Sequence, residues 1–196
     1  MTPNQLRQFL TESHVTDSAR RLLGCEIVVR HCRIRIVEAE AYGGAEDPNS
    51  HAYRGVTPRN KVMFETTGCA YVYFNYGMHW LFNVTCRPVG EPGAILIRGA
   101  MLVEGIEAIR SRRPKAKKDA DLLSGPGKIG EALGVTGADT GTDLLDKASS
   151  VRIVPGEEVK NVLTGARVGL KDGIDHGQMW RFIDEANADW ASSPRL

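Results

Sequence analysis

CAYVYFNYGMHWLFNVTC, residues 69–86, decides the reading of the fold. Cys69 to Phe74 and Trp80 to Cys86 are aromatic and β-branched runs, and the turn-prone Asn75-Tyr76-Gly77-Met78 between them predicts a β-hairpin. Upstream, Ile27-Val28-Val29 and Ile34, Ile36 and Val37 flank the polar His31-Cys32-Arg33, which predicts a second hairpin. Further strands are expected at Ala94–Arg98, Val151–Val154 and Ala166–Leu170. Helical spacing appears at Leu6, Phe9, Leu10, Leu22 and Leu23, read as two N-terminal helices, the second capped by Thr16 or Asp17 and ended at Gly24. Leu102–Arg112, with Pro114 beyond it, and Lys128–Leu133 read as later helices. The sum is an α+β fold: one domain over residues 1–196, with a mostly antiparallel, curved β-sheet flanked by helices and a protruding β-hairpin.

Composition narrows the class of protein. Of 196 residues, 42% are apolar and 25% charged, with 21 Gly and 9 Pro, which is ordinary globular usage and excludes disordered, collagen-like and coiled-coil chains. The longest unbroken apolar run, Cys69 to Phe74, is far shorter than the ~20 residues that span a bilayer, so no membrane is expected. Residues 1–15 carry Asn4, Gln5, Arg7, Gln8, Thr11 and Glu12 where a signal peptide needs an apolar core, and a cytoplasmic location is expected. Cys25, Cys32, Cys69 and Cys86 lack zinc-ribbon or redox-pair spacing, and reduced thiols are expected. The net charge of +1 is low for a protein that grips nucleic acid over a broad surface. The local run Arg110, Arg112, Arg113, Lys115, Lys117, Lys118 leaves open either a solvated helix end or a phosphate-binding patch.

Four features could carry chemistry. In the strand Ile34–Tyr42, strict alternation places Glu38, Glu40 and Tyr42 on the face begun by Ile34 and Ile36. Beside apolar groups a carboxylate becomes a general acid or base; at a solvated strand end both are surface charges. The hairpin aromatics suit a packed core, although Tyr76 at the turn fits stacking between bases better. The polar stretch Gly43–Lys61 is long for a connector and suits a binding loop. Ser124-Gly125-Pro126-Gly127-Lys128 resembles a phosphate loop, but Leu122 and Ile129 stand where Gly and Ser or Thr are required, leaving a Gly-rich turn before a helix that could hold one phosphate. His14, His31, His51, His79 and His176 form no metal-binding pair, so no metal is expected.

Taken in order, these pieces resemble the alkyladenine (3-methyladenine) DNA glycosylase family of base-excision repair. The resemblance runs through Ala19–Gly24, Val37-Glu38-Ala39-Glu40-Ala41-Tyr42, Ser50–Gly55, Thr57-Pro58-Arg59-Asn60, Tyr71–Phe74, Tyr76–Trp80 and Asn83. It continues through Ile95–Arg98, Leu123–Lys128, Arg167-Val168-Gly169 and Trp180–Phe182. It implies a monofunctional enzyme, acting as a monomer, that flips a damaged purine from double-stranded DNA and hydrolyses its N-glycosidic bond. The purines implied are of the 3-methyladenine, 7-methylguanine, hypoxanthine and ethenoadenine type, and no cofactor is implied.

The resemblance also implies residue roles. Glu40 would be the general base, with Arg98 and the Val168 carbonyl holding the attacking water and Glu38 mattering much less. Tyr42, His51 and Tyr73 would enclose the flipped base, and Asn83 would exclude the guanine amino group. Tyr76, with Met78 and His79, would fill the gap in the stack, while Arg59, Ser124, Gly125 and Lys128 would meet the DNA backbone. Two other classes fit the residues alone: a metal hydrolase using Glu40 with His51 or His79, and a nucleic-acid-binding module that stacks bases without chemistry.

Overall fold

The computed structural model describes residues 1–170, 177–194 and 196, so His176 lies outside the described residues. The hairpin forms as β3 (Ala70–Asn75) and β4 (His79–Thr85), paired antiparallel from Ala70 opposite Val84 to Asn75 opposite His79. Tyr76 and Gly77 have φ of 50° and 67°, and the Met78 N–H donates to the Asn75 carbonyl at 3.0 Å. Two successive positive φ values closed by that bond make a type I′ turn, whose twist suits the two strands. Glycine enters the left-handed region freely, whereas a tyrosine there costs roughly 1–2 kcal/mol.

The sheet continues from β3 and β4 through β5 (Ala94–Glu104), β2 (Cys32–Tyr42) and β1 (Glu26–Val29) to β6 (Val151–Val154). β1 pairs with the first half of β2, and β8 (Arg181–Asp184), itself paired with β7 (Val162–Gly165), takes over at Glu38–Glu40. All pairings are antiparallel, and the curved sheet is flanked by helices as expected. α1 (Pro3–Glu12), α2 (Val15–Leu22) and α6 (Pro126–Leu133) supply Leu6, Leu22 and Ile129 to a core shared with Ile36, Phe82 and Ile97 of the sheet. The short helices α3 (Lys61–Glu65), α4 (Ile106–Arg112) and α5 (Asp119–Leu123) complete the periphery.

Several boundaries differ from the sequence reading. The first hairpin turns at Arg30-His31, with Arg30 at φ 53°, so Cys32 and Arg33 already belong to β2. The ring of His14, not Thr16 or Asp17, caps α2, because Val15 is already helical and buried. Leu102–Glu104 extends β5 rather than starting a helix. Gly105, at φ 84° and so close that a Cβ would stand 2.3 Å from the His31 carbonyl oxygen, separates β5 from α4. The strand expected at Ala166–Leu170 is Val162–Gly165, and residues 166–170 form a loop. β8 escaped notice because its ends, Arg181 and Asp184, are polar yet buried.

One irregularity reorganises β2. Ile36 lies opposite Ala100 and Ala39 opposite Ile97, but between them Glu38 faces Gly99, leaving Val37 and Arg98 outside the pairing. Each strand thus carries one bulged residue, and the side-chain alternation slips by one. Ile34, Ile36, Ala39 and Ala41 therefore all enter the main core. The expectation that Glu40 and Tyr42 continue the face of Ile34 and Ile36 is corrected: they emerge on the opposite face.

β4 is held to α6 by backbone contact. A Cβ on Gly130 would lie 2.0 Å from the Trp80 carbonyl oxygen, so Gly130→Ala is expected to destabilise the protein by at least the ~1–3 kcal/mol of overpacking. Chemical denaturation of the purified variant measures it, and an unchanged midpoint would show that α6 shifts freely off the hairpin strand.

Candidate active site

Glu40 is fully buried, fixed from three directions. Its Oε1 accepts the Val168 N–H at 2.7 Å and its Oε2 accepts the Tyr42 hydroxyl at 2.8 Å. The Arg98 guanidinium adds longer contacts, Nε to Oε1 at 3.3 Å and Nη1 to Oε2 at 3.4 Å. Burial pushes the Glu40 carboxyl above its ordinary value, while Arg98, the Val168 N–H and the Tyr42 hydroxyl pull it back. The outcome is a carboxylate that is harder to ionise than usual yet surrounded by donors, the setting of a group that exchanges a proton. Burial, with the neighbouring Glu40 charge, pushes Tyr42 well above its usual range, so its hydroxyl stays protonated and donates.

Glu38, one of the two residues for which a solvated surface was an open reading, is fully buried as well. Its Oε1 accepts from Arg181 Nε at 2.6 Å, Ser192 Oγ at 2.9 Å and Arg98 Nε at 3.2 Å, and its Oε2 accepts the Ser192 N–H at 2.6 Å. Arg98 also donates through Nη2 to Ser192 Oγ at 3.1 Å. Glu38 is thus the anchor for the arginine that faces Glu40. Gly99 permits this: a Cβ there would meet both the Glu38 side chain and the Trp190 carbonyl at 3.0 Å.

Above this floor opens a cavity of about 350 Å³, within the usual size of ligand pockets. Tyr42, Arg98 and Val168 line it and Glu40 lies immediately behind them. One side is aromatic: the Tyr71 and Tyr73 rings are 5.2 Å apart, and His51 meets Tyr73 edge-on at 4.6 Å. His51 Nδ1 is 2.8 Å from the Tyr71 hydroxyl. Partial desolvation, aided by the charge of Arg59, holds the His51 ring down to about 4, so it is neutral near pH 7. Asn83 spends its Nδ2 on the Tyr71 and Leu81 carbonyls at 3.0 and 3.4 Å, which orients its amide in the cavity wall.

Sequence reading missed what braces Tyr42. Arg167 and Asp47 form a fully buried ion pair at 2.7 and 2.9 Å, and the Arg167 guanidinium lies 4.7 Å from the Tyr42 ring centre and 5.1 Å from that of Trp180. Its Nη1 also donates to the Ala41 carbonyl at 2.9 Å. Asp47 sits in a polar loop with nothing in its spacing to mark it.

The residues expected at DNA lie in three places. Tyr76 is 81% exposed and Met78 67%, both at the hairpin tip, with Tyr76 also reaching the cavity mouth. His79 is exposed and lies over Gly127 at the start of α6. Ser124, Gly125 and Lys128 surround the same helix start, with Lys128 Nζ donating to Ser124 Oγ at 3.2 Å. Arg59 instead leans over the Tyr73 ring. In the basic run, Arg110 pairs with Asp119 and Arg113 with Glu131, which favours the reading as a helix end neutralised within the fold. Among the described residues no group of three His, Cys, Asp or Glu side chains is placed to hold a metal, and no helix is long and apolar enough to cross a membrane.

Known proteins resemble this chain over most of its length. A chain from Rhodococcus jostii, provisionally named 3-methyladenine DNA glycosylase, is 43% identical over 194 residues, covering 95% of this chain and 86% of that one. A chain from Nocardia farcinica with the same provisional name is 46% identical over 172 residues, covering 84% and 80%. One from Frankia casuarinae, named likewise, is 40% identical over 190 residues, covering 90% and 88%. Residues 8–188 match the family described as Methylpurine-DNA glycosylase (MPG). With a buried, donor-held carboxylate behind an aromatic cavity and matches of this extent, the chain belongs to the methylpurine-DNA glycosylase family of DNA repair enzymes.

Proposed function

We propose that the chain, working as a monomer without metal or cofactor, flips alkylated or deaminated purines from duplex DNA into the aromatic cavity. There it hydrolyses the N-glycosidic bond, acting on lesions of the 3-methyladenine, 7-methylguanine, hypoxanthine and ethenoadenine type. The carrying observation is the Glu40 carboxylate, held by Val168, Tyr42 and Arg98 directly behind the cavity.

In this reading Glu40 takes a proton from water as the water oxygen bonds to the sugar C1′. The bond from C1′ to the purine nitrogen breaks with its electron pair leaving on the base, and the carboxylate's charge stabilises the oxocarbenium-like transition state. The short bonds from Val168 and Tyr42 fix the carboxylate, while the longer Arg98 contacts are the ones a water can replace at least cost. The Val168 carbonyl and Arg98 orient that water. Tyr42, Tyr73 and neutral His51 enclose the base, with Asn83 opposing an exocyclic amino group at the guanine position. Tyr76 fills the space the base leaves, helped by Met78 and His79, and Ser124, Gly125 and Lys128 hold a backbone phosphate at the start of α6.

Glu40→Gln is expected to bind lesion-containing duplex normally and to lose single-turnover excision by ~10²–10⁴-fold; excision near the wild-type rate would remove Glu40 from the mechanism. The rate should fall with acid as Glu40 protonates, at a pH above the ordinary glutamate value of 4.5, because burial raises the group. Tyr42→Phe removes a hydrogen bond that favours the ionised form, so the acid limb of its rate profile on hypoxanthine should move to higher pH; a move to lower pH contradicts this account. Tyr76→Ala should weaken binding to a lesion duplex by the roughly 1–3 kcal/mol of a lost stack. Its unfolding free energy should stay within about 0.5 kcal/mol of wild type, as at other exposed sites, whereas a large stability loss with normal excision would make the ring a folding element.

A further inference from the structure

A cation stands behind the wall that would receive the base. Arg59 is exposed to solvent, yet its guanidinium carbon lies 4.8 Å from the Tyr73 ring centre and its Nη2 donates to the Phe74 carbonyl at 3.3 Å. Tyr71, Tyr73 and His51 line the cavity while Arg59 does not, so its charge backs the ring from outside. The residue after it is locked. Asn60 Nδ2 donates to the His51 and Gly55 carbonyls at 2.7 and 3.0 Å, and its Oδ1 accepts the Thr57 N–H at 2.6 Å.

The charge of Arg59 is felt inside the wall. It helps hold His51 in its neutral form, and it draws the Tyr71 and Tyr73 hydroxyls downward against the desolvation that raises them. A ring attracts cations through its quadrupole, and a face already backed by one cation offers less to a second. Like charges separated by little more than a ring also repel where water is scarce. On the floor Glu40 and Arg98 act on Tyr73 in opposite directions, and because the two are paired no unpaired acid there cancels the charge of Arg59.

We propose that Arg59 sets the charge preference of the cavity, disfavouring purines with a formal positive charge, such as 7-methylguanine, relative to neutral ones such as hypoxanthine. The proposal rests on the base-excision reading above and assigns a substrate charge class to that same cavity. It gives Arg59 a role that a phosphate contact does not: a phosphate contact weakens all substrates together when lost, whereas this one changes their ratio.

The test compares single-turnover excision from duplexes carrying one 7-methylguanine or one hypoxanthine by wild type, Arg59→Met and Arg59→Lys. Arg59→Met should raise the 7-methylguanine to hypoxanthine rate ratio by roughly fivefold or more, the scale of one partly screened charge interaction. Arg59→Lys, which keeps the charge, should stay near the wild-type ratio. In Arg59→Met the His51 ring should also titrate above its value of about 4 when followed by NMR. Parallel slowing on both lesions with an unchanged ratio overturns the proposal in favour of a backbone contact, as does an unmoved ratio with normal rates. Failure of the wild type to excise either base has a different signature, and overturns the excision reading together with the proposal.

Discussion

Two carboxylates two residues apart on one strand, both without solvent exposure, set the constraint on which the rest depends. Neither could remain ionised there alone, because the effective cost of taking an ion out of water is several kcal/mol even after relaxation. Arg98 lies between them, Nε 3.2 Å from Glu38 and 3.3 Å from Glu40, and Arg181 takes the far side of Glu38 at 2.6 Å. Two acids and two guanidiniums thereby balance. Ser192 closes the cluster with its hydroxyl and its backbone N–H. The cluster joins β2, β5, β8 and the segment around Ser192, so the folded sheet and the placement of Glu40 rest on the same bonds.

The two glutamates divide the work. Glu38 receives three donors on one oxygen and a 2.6 Å N–H on the other, and it has little capacity left for chemistry. Glu40 holds two short bonds and two long ones, which leaves it fixed in position but able to exchange a partner. The expectation that Glu38 matters much less than Glu40 concerns proton transfer and leaves out the structural part Glu38 plays in the cluster. Breaking a buried ion pair from one side typically costs about 3–5 kcal/mol, and Glu38 stands in two.

The aromatic hairpin shows a similar split between its two faces. Ala70, Val72, Phe82 and Val84 fill the main core, while Tyr71, Tyr73, Leu81 and Asn83 line the cavity, so one face of the hairpin is core and the other is cavity wall. At its end, Tyr76 combines a left-handed backbone with a ring almost wholly in solvent. Strained positions with exposed rings gain nothing for folding, and such sites concentrate where a protein meets its ligand.

The antiparallel hairpin at 69–86, the two opening helices and the family were legible in the chain itself, because hydropathy period and turn residues are local properties. The strand face of Glu40 was not: alternation assumes an unbroken pleat, and the paired bulge at Val37 and Arg98 is decided by how β2 and β5 meet. The buried polar elements were equally hidden. Nothing local marks Arg181, Ser192, Asp47 and Arg167 as buried, because the partners that satisfy them lie 120 to 154 positions away. Nor does spacing tell that Arg59 leans on Tyr73, since the two meet across a loop and a strand. The sequence by itself determined the strongly patterned segments, the opening helices and the aromatic hairpin, and which residue types are available for catalysis. Only the tertiary structure decided which charges are buried, which face they occupy and what they touch, because those depend on contacts between residues far apart in the chain.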